Sequence, residues 1–351
     1  MANKNLNDAG AAKRDEFYTQ LTDIQEELRH YKTHFRGKTV LCNCDDPRVS
    51  MFFHYFAYNF EALGLKRLIT TCYKSQDRDL FSIHQCEKAI WLEYFGDRNG
   101  NRIPDPEEIG IHALQGDGDF RSPECIELLQ QADIVVTNPP FSLFREYVAQ
   151  LMKYRKLFLI IGNKNLITKK EIFPLFMENK VWLGVSPMSR EIYFDVPQSY
   201  IDEGLAKRKD RTIVVRNGKH MARSPSIWYT NLDHRKRHEE LILFRAYSPD
   251  AYPRYCNFDA IEVSKTEDIP CDYDGLMGVP ITFLDKYNPD QFEIVGVSAD
   301  VAKPMAEIKN WYLEHPEQSH VRTGGDALYY WKSGGTLVRT YDRIVIRRRP
   351  Q

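Results

Sequence analysis

A doubly wound α/β domain on a mainly parallel sheet is the fold class this chain predicts, followed by a region of different character. Two observations carry that reading. Short apolar runs recur at 39–44, 66–72, 134–137, 157–162 and 181–185, each apolar enough to be buried on both faces. Segments of helical periodicity separate them, as the crossovers of a parallel sheet require. The 351 residues suffice for two domains or one enlarged domain, and 42% hydrophobic with 28% charged residues exclude wholesale disorder and fibrous repeats.

Residues 1–14 are small and polar and are expected to be flexible. From Phe17 to Phe35 the spacing of Leu21, Ile24, Leu28 and Tyr31 predicts one amphipathic helix ending near Gly37. Thr39–Cys44 is then a strand, Ser50–Leu63 its crossover helix, and Lys66–Cys72 the next strand. Ile134–Thr137 reads as a strand that runs into Asn138-Pro139-Pro140-Phe141, with a helix over Leu143–Tyr154. Leu157–Gly162 is a buried strand, Lys169–Glu178 a helix and Val181–Val185 another strand. Beyond it, residues 186–225 mix basic and aromatic side chains as an inserted segment would, and Ile227–Leu232 reads as a strand returning to the sheet. The alternation of Leu337, Arg339, Tyr341, Arg343, Val345 and Arg347 predicts a last strand with one basic side. Met277–Phe283 reads as a core strand, and Arg347-Arg348-Arg349 as a solubilising tail.

The 48 Lys and Arg nearly cancel the 49 Asp and Glu, so a nucleic-acid partner would have to be held by local basic patches. Seven cysteines without a C-x-x-C pair read as reduced thiols, as in a cytoplasm. The N-terminal residues lack the apolar core of a signal peptide, and no stretch approaches the ~20 apolar residues needed to span a bilayer, so neither secretion nor membrane insertion is expected. His234 and His238 have metal-ligand spacing on a helix, but no third ligand is evident and no metal is expected.

The most informative residues are Asn138-Pro139-Pro140-Phe141, because ligands of open α/β sheets gather at the carboxyl ends of strands. Their chemistry suits methyl transfer to an exocyclic amine on a ring, a poor nucleophile whose lone pair is delocalised. If the Asn138 side-chain carbonyl and the Pro139 main-chain carbonyl accept its two N–H groups, the lone pair is aimed at a methyl donor. The two prolines fix the direction of the acceptors, and Phe141 offers a flat face for a base. The alternative is a strand that merely ends in a turn.

Five blocks resemble the EcoRI-type adenine-specific DNA methyltransferases: 15–20 (DEFYTQ), 42–50 (CNCDDPRVS), 116–122 (GDGDFRS), 133–144 (DIVVTNPPFSLF) and 278–284 (GVPITFL). The resemblance covers roughly residues 13–295. It implies a class I S-adenosylmethionine-dependent methyltransferase, with a doubly wound, mostly parallel seven-stranded sheet and an inserted and C-terminal DNA-recognition region. The implied boundaries are 15–185 for the cofactor-binding and catalytic domain, 186–225 for the basic insertion, 226–232 for the returning strand and 233–351 for target recognition.

The resemblance also implies roles. Phe17, Tyr18 and Thr19 match a motif that contacts the methionine part of the cofactor, although Thr19 or Asp15 could equally cap the helix. Asp45, Asp46 and Pro47 stand where the family places an acidic turn against the cofactor, with helix capping as the alternative. The glycine-rich turn usual in the wider class is absent, since Arg48, Val49 and Ser50 occupy it. The second strand lacks the acidic residue that commonly binds ribose. Asp119 and Phe120 match the pair that reads the cofactor's adenine, with an Asx-turn as the alternative for Asp119.

Arg190, Lys207, Arg208, Lys209, Arg211, Arg216 and Arg223, with 235–237, are candidates to line a groove over duplex phosphates, or else form a solvated face. The implied activity is methylation of the N6 amino group of a flipped adenine in double-stranded DNA, by a cytoplasmic, bacterial or phage-encoded monomer. A cognate restriction endonuclease would share the target word without being bound. The competing readings are an RNA-base or protein-glutamine methyltransferase, and an inactive nucleic-acid-binding protein. A glutamine methylase would not need the basic C-terminal half.

Overall fold

The structure is a computed structural model of the chain. It describes residues 18–44, 50–72, 89–101, 104–105, 107–195, 201–202, 213–216, 218–315, 327–332 and 335–350. The backbone divides into two units, one of residues up to Ile167 with Leu183–Leu232, the other of Thr168–Trp182 with Asp233–Gln351.

The strands of the first unit and its border are β1 Tyr18–Thr19, β2 Thr39–Cys42, β3 Arg67–Cys72, β4 Ile90–Tyr94, β5 Gly110–Ala113 and β6 Ile134–Thr137. After them come β7 Leu157–Asn163, β8 Trp182–Leu183, β9 Ile192–Asp195, β10 Ile213–Arg216, β11 Lys219–Ser224 and β12 Ser226–Thr230. The central sheet runs β5-β4-β3-β2-β6-β7-β12-β8. Its middle is parallel: β2 pairs with β3 on one side and β6 on the other, and β6 pairs with β7. These strands are buried almost throughout because helices cover the sheet, which is why they read as unbroken apolar runs. The helices Leu21–Leu28 and Met51–Tyr58 join Val40, Cys42, Val136 and Trp228 in one buried cluster.

The sheet has eight strands where seven were expected. The extra edge arises from the β4–β5 hairpin, in which β4 lies antiparallel to β3 and β5 antiparallel to β4. The expected helix over 17–35 is also corrected. Tyr18 and Thr19 are extended because they pair with Asp195 and Phe194, and the helix stops at Leu28. There Tyr31 turns back so that its buried hydroxyl donates to Glu27 Oε1 at 2.9 Å, and a second short helix covers Lys32–Phe35. The helix expected over 169–178 shrinks to Phe173–Met177, since Pro174 at its start lacks the N–H that a preceding turn would bond. Residues 186–225 contain β9, β10 and β11, which with β1 make a separate antiparallel sheet β1-β9-β11-β10. The segment at 226–230 does return to the central sheet, antiparallel to β7.

The second unit holds the sheet β13-β14-β18-β15, formed by Ile261–Glu262, Met277–Pro280, Arg343–Arg348 and Phe292–Val297. A further pair is β16 Tyr329–Trp331 with β17 Leu337–Arg339. The last strand expected as continuous is therefore two, Leu337–Arg339 and Arg343–Arg348; Thr340, just past the first, stays tied to its partner strand, its N–H and its hydroxyl both donating to the Leu328 carbonyl, the hydroxyl at 2.9 Å. Arg347-Arg348-Arg349 is no free tail. Arg347 pairs with Glu293 at 2.7 Å, and Arg348 and Arg349 donate to the main-chain carbonyls of Cys271 and Pro289.

Cys72 is disulfide-bonded, against the expectation of reduced thiols, while among the described residues Cys42, Cys44, Cys125, Cys256 and Cys271 form no disulfide. No helix among the described residues is long and apolar enough to cross a membrane.

Candidate active site

From β2 the chain crosses to β3 on one side, while β6 flanks β2 on the other. The crevice beyond the carboxyl ends of β2 and β6 is thus the point where strand order reverses, the usual ligand position in an open α/β sheet. Asn138 leaves β6 at this point. It is 6% exposed, with its Oδ1 shielded from solvent, and Pro139 is buried while Pro140 is partly so. Phe141 opens a short 3-10 turn, and its ring packs partly against the core cluster that includes Val136 and Ile24.

Two side chains that sequence reasoning left without a role tie the crevice together. The Thr137 hydroxyl donates to the Asn43 main-chain carbonyl, joining the end of β6 to the loop after β2. The Tyr147 hydroxyl, from the helix Phe144–Lys153 that follows the Asn-Pro-Pro-Phe turn, donates to Asn43 Oδ1. All three residues are buried. Tyr147 also meets Phe120 edge to face at 5.0 Å, and Gln150 Nε2 donates to the Phe120 carbonyl at 2.9 Å. The helix sits close on β7 because Gly162 has no side chain: a Cβ there would lie 2.3 Å from the Phe144 ring. No local signal marks these contacts, since Asn43 and Tyr147 are 104 positions apart.

The Asp119–Phe120 block lies on the same helix face. Phe120 is 7% exposed. Asp119 Oδ1 accepts from the Arg121 main-chain N–H at 2.8 Å, so it does make the Asx-type turn, and the Arg121 guanidinium grips both carboxylate oxygens. Burial alone would raise this carboxyl; the Arg121 hydrogen bonds and charge outweigh it and hold it below the usual carboxylate range. Asp119 is therefore an ionised acceptor at neutral pH.

Thr19 is 2% exposed, and its hydroxyl has no hydrogen-bond partner among the described residues. Tyr18 precedes it in β1; Phe17, Asp45, Asp46 and Pro47 lie outside the described residues, as do Lys207, Arg208, Lys209 and Arg211. Of the basic candidates that are described, Arg190 pairs with Asp23 at 3.0 Å and Arg223 with Glu191 at 3.0 Å. Arg216 stacks over the Tyr193 ring at 4.5 Å. In the second unit Arg237 is buried over the Trp182 ring at 3.5 Å, which makes it part of the packing. His238 hydrogen-bonds Asp233 at 2.9 Å.

Removing the Tyr147 hydroxyl isolates what this network does. Tyr147→Phe keeps the ring against Phe120 and deletes one buried hydrogen bond, of the kind worth about 1 kcal/mol. The expected outcome is a kcat about 10-fold lower with KM for substrate within about twofold, because the turn loses its reference to β2. Unchanged kcat with a lowered melting temperature would make Tyr147 a purely structural residue.

Comparison with known proteins identifies the family. The family model described as adenine-specific methyltransferase EcoRI matches residues 5–349. The chain belongs to that family. It is an adenine-specific DNA methyltransferase. Among curated relatives, Type II methyltransferase M.EcoRI of Escherichia coli is 51% identical over 297 residues, 84% of this chain and 89% of the relative. M.MgeORF184P of Mycoplasma genitalium is 36% identical over 90% of this chain and 93% of the relative, and M.MpnI of Mycoplasma pneumoniae 35% identical over 98% of each. No solved structure matches.

Proposed function

We propose that this methyltransferase takes its methyl group from S-adenosylmethionine and places it on the N6 amino group of an adenine flipped out of a specific duplex DNA word. The observation that carries the proposal is a buried Asn138 at the strand-order reversal of an open sheet, followed by two prolines and Phe141. S-adenosylmethionine, when bound, supplies an electrophilic methyl group. Everything else is positioning by this chain. Asn138 Oδ1 and the Pro139 carbonyl accept the two amine N–H groups and draw the nitrogen toward tetrahedral geometry. Pro140 stiffens the turn, and Phe141 stacks on the extruded ring, whose release from the duplex costs a few kcal/mol.

The residues present suit that donor. The buried Thr19 hydroxyl can bind an amino-acid carboxylate with Tyr18 and Phe17 beside it in the chain, and an ionised Asp119 next to the Phe120 ring can read an adenine amino group. Asp45, Asp46 and Pro47 remain assigned to the cofactor turn by the family pattern. In this reading the fold is the class I type, with residues 15–185 as the catalytic domain, 186–225 and 233–351 as the DNA-contacting regions and 226–232 as the strand between them. The enzyme works as a cytoplasmic monomer in a restriction-modification pair whose nuclease does not bind it.

Two expectations follow on the binding side. Asp119→Ala should weaken S-adenosylmethionine binding by roughly 1.5–3 kcal/mol in calorimetry, with DNA binding little changed. Unchanged affinity with lowered thermal stability would leave the carboxylate to its turn alone. Replacing Lys207, Arg208, Lys209 and Arg211 together by Ala should weaken cognate and scrambled duplexes alike, and flatten the salt dependence of binding by up to about 0.9 per lost phosphate contact. Arg190, Arg216 and Arg223 are the next to vary, and unchanged slope and affinity would move the DNA contact to 233–351. The function itself is tested by incubating the enzyme with labelled S-adenosylmethionine and duplex DNA, RNA or a glutamine peptide. Label recovered as N6-methyladenine from DNA alone is the expected result, and label in RNA or peptide alone would overturn it.

A further inference from the structure

The loop from β4 to β5 takes no part in the chemistry above. β4 is antiparallel to β3, with Tyr94 beside Leu68 near the start of β3, so the loop leaves the sheet at the end opposite Asn138. Within it Asp97, Asn99, Asn101, Asp105 and Glu108 occupy the first, third, fifth, ninth and twelfth places of a twelve-residue segment. Oxygen-bearing side chains on alternate residues, closed by a glutamate at the twelfth, are how a loop wraps Ca2+. Arg102 holds the sixth place, where such loops use glycine for a sharp turn; here Gly100, two residues earlier, has the left-handed backbone at φ +79°.

The local geometry follows the same plan. Asp97 Oδ1 accepts from the Gly100 N–H at 2.7 Å, and Asp105 Oδ1 accepts from the N–H groups of Glu107 and Glu108 at 3.1 and 3.2 Å. Asp105 Oδ2 accepts from the Asn99 and Asn101 amides at 2.6 and 3.1 Å.

A second and independent feature is Glu108 itself, which is only 9% exposed. Its Oε1 accepts from the N–H groups of Arg98 and Asn99, at 2.5 and 3.0 Å, which places the carboxylate over the start of the loop. Its Oε2 is buried and receives no hydrogen bond among the described residues. A buried carboxylate oxygen without a donor is costly and calls for a cation. The Tyr94 hydroxyl registers the same concentration of charge: it is pushed up to about 12, first by burial and then by the negative field of Glu108, Asp97, Glu61 and Asp105. The Arg98 guanidinium lies over the Phe95 ring, 5.4 Å from its centroid.

We propose that the Asp97–Glu108 loop binds a divalent cation, Ca2+ in preference to Mg2+, through the side-chain oxygens of Asp97, Asn99, Asn101, Asp105 and Glu108. Three carboxylates and two amides make a hard, all-oxygen donor set suited to neither Zn2+ nor Cu2+. Ca2+ tolerates the irregular geometry of a flexible loop, whereas Mg2+ demands a near-ideal octahedron. Among the described residues no three His, Cys, Asp or Glu side chains stand as a group that could hold a metal ion without moving. Binding therefore requires the Asn99 and Asn101 amides to turn their oxygens inward and release Asp105 Oδ2. That rearrangement keeps the affinity modest, near the range of about 10⁻⁴–10⁻³ M found for extracellular modules. A cation here pins the edge hairpin and leaves methyl transfer unaffected.

The test uses the full chain, stripped with a chelator and titrated with CaCl2 or MgCl2 by calorimetry and thermal melting, with Tb3+ luminescence sensitised by Trp91 and Tyr94. The expected result is one saturable Ca2+ site per chain, a raised melting temperature, and weaker binding of Mg2+. Glu108→Gln should weaken Ca2+ binding by about tenfold or more. Asn101→Asp, at an exposed position, should tighten it, and Glu107→Gln, whose side chain is exposed outside the donor set, should change nothing. Should Glu108→Gln fail to fold, Asn101→Asp alone decides. No saturable Ca2+ site in the folded wild type, or a site indifferent to Asn101→Asp and Glu108→Gln, overturns the proposal; Mg2+ binding as tight as Ca2+ overturns the stated preference.

Discussion

Asn138→Ala is expected to lower kcat by about 10²-fold or more while leaving S-adenosylmethionine affinity within a few-fold. The side chain is buried where β6 ends, and the Thr137 hydroxyl immediately before it is anchored on the Asn43 carbonyl, so the acceptor is fixed before substrate arrives. A preorganised acceptor stabilises the amine only as its N–H groups become more acidic on the way to methyl transfer. The loss therefore falls on kcat, not on ground-state binding. Single-turnover transfer to a cognate duplex, with cofactor affinity from calorimetry, checks it. An Asn138→Ala enzyme of near wild-type kcat would remove Asn138 from the reaction.

Glu262→Ala should destabilise the second unit by about 3–5 kcal/mol, because it strands a charge inside the protein. Glu262 is 3% exposed and grips the Arg343 guanidinium with both oxygens, at 2.7 and 3.0 Å. The Tyr255 hydroxyl donates to the same carboxylate, and burial followed by the Glu262 charge drives the Tyr255 pKa far up, so the phenol stays neutral. A melting-temperature loss on the order of 10 °C is expected in calorimetry for Glu262→Ala. The double variant Glu262→Met with Arg343→Met should recover most of it, since the desolvation of both ions disappears together. If Glu262→Ala melts like the wild type, the pair adds nothing to stability.

How much of this was legible follows from how each feature is written in the chain. The four central strands were, because burial on both faces turns TVLC, RLITTC, IVVT and LFLII into unbroken apolar runs. The edge hairpin was not. β4 is only partly buried at Ile90, Trp91 and Glu93, and β5 alternates half-buried with exposed residues, so neither stands out from a loop. The helix Pro123–Gln131 carried a readable signal in Ser122-Pro123, with the Ser122 hydroxyl capping the Cys125 N–H at 3.3 Å, but the glycine-rich block before it reads as a turn. The Asn-Pro-Pro-Phe turn was legible because its chemistry is contiguous. The Asn43–Tyr147 bond was not, because only the fold makes its partners neighbours.

Sequencing genomic DNA with modified-base detection, after expressing the chain in a host free of DNA methylation, tests the central claim most directly. The expected result is N6-methyladenine at one fixed adenine within nearly every copy of a single short word, and none when Asn138→Ala is expressed in its place. A genome without N6-methyladenine under the wild-type chain, in cells where the folded protein is abundant, would contradict it.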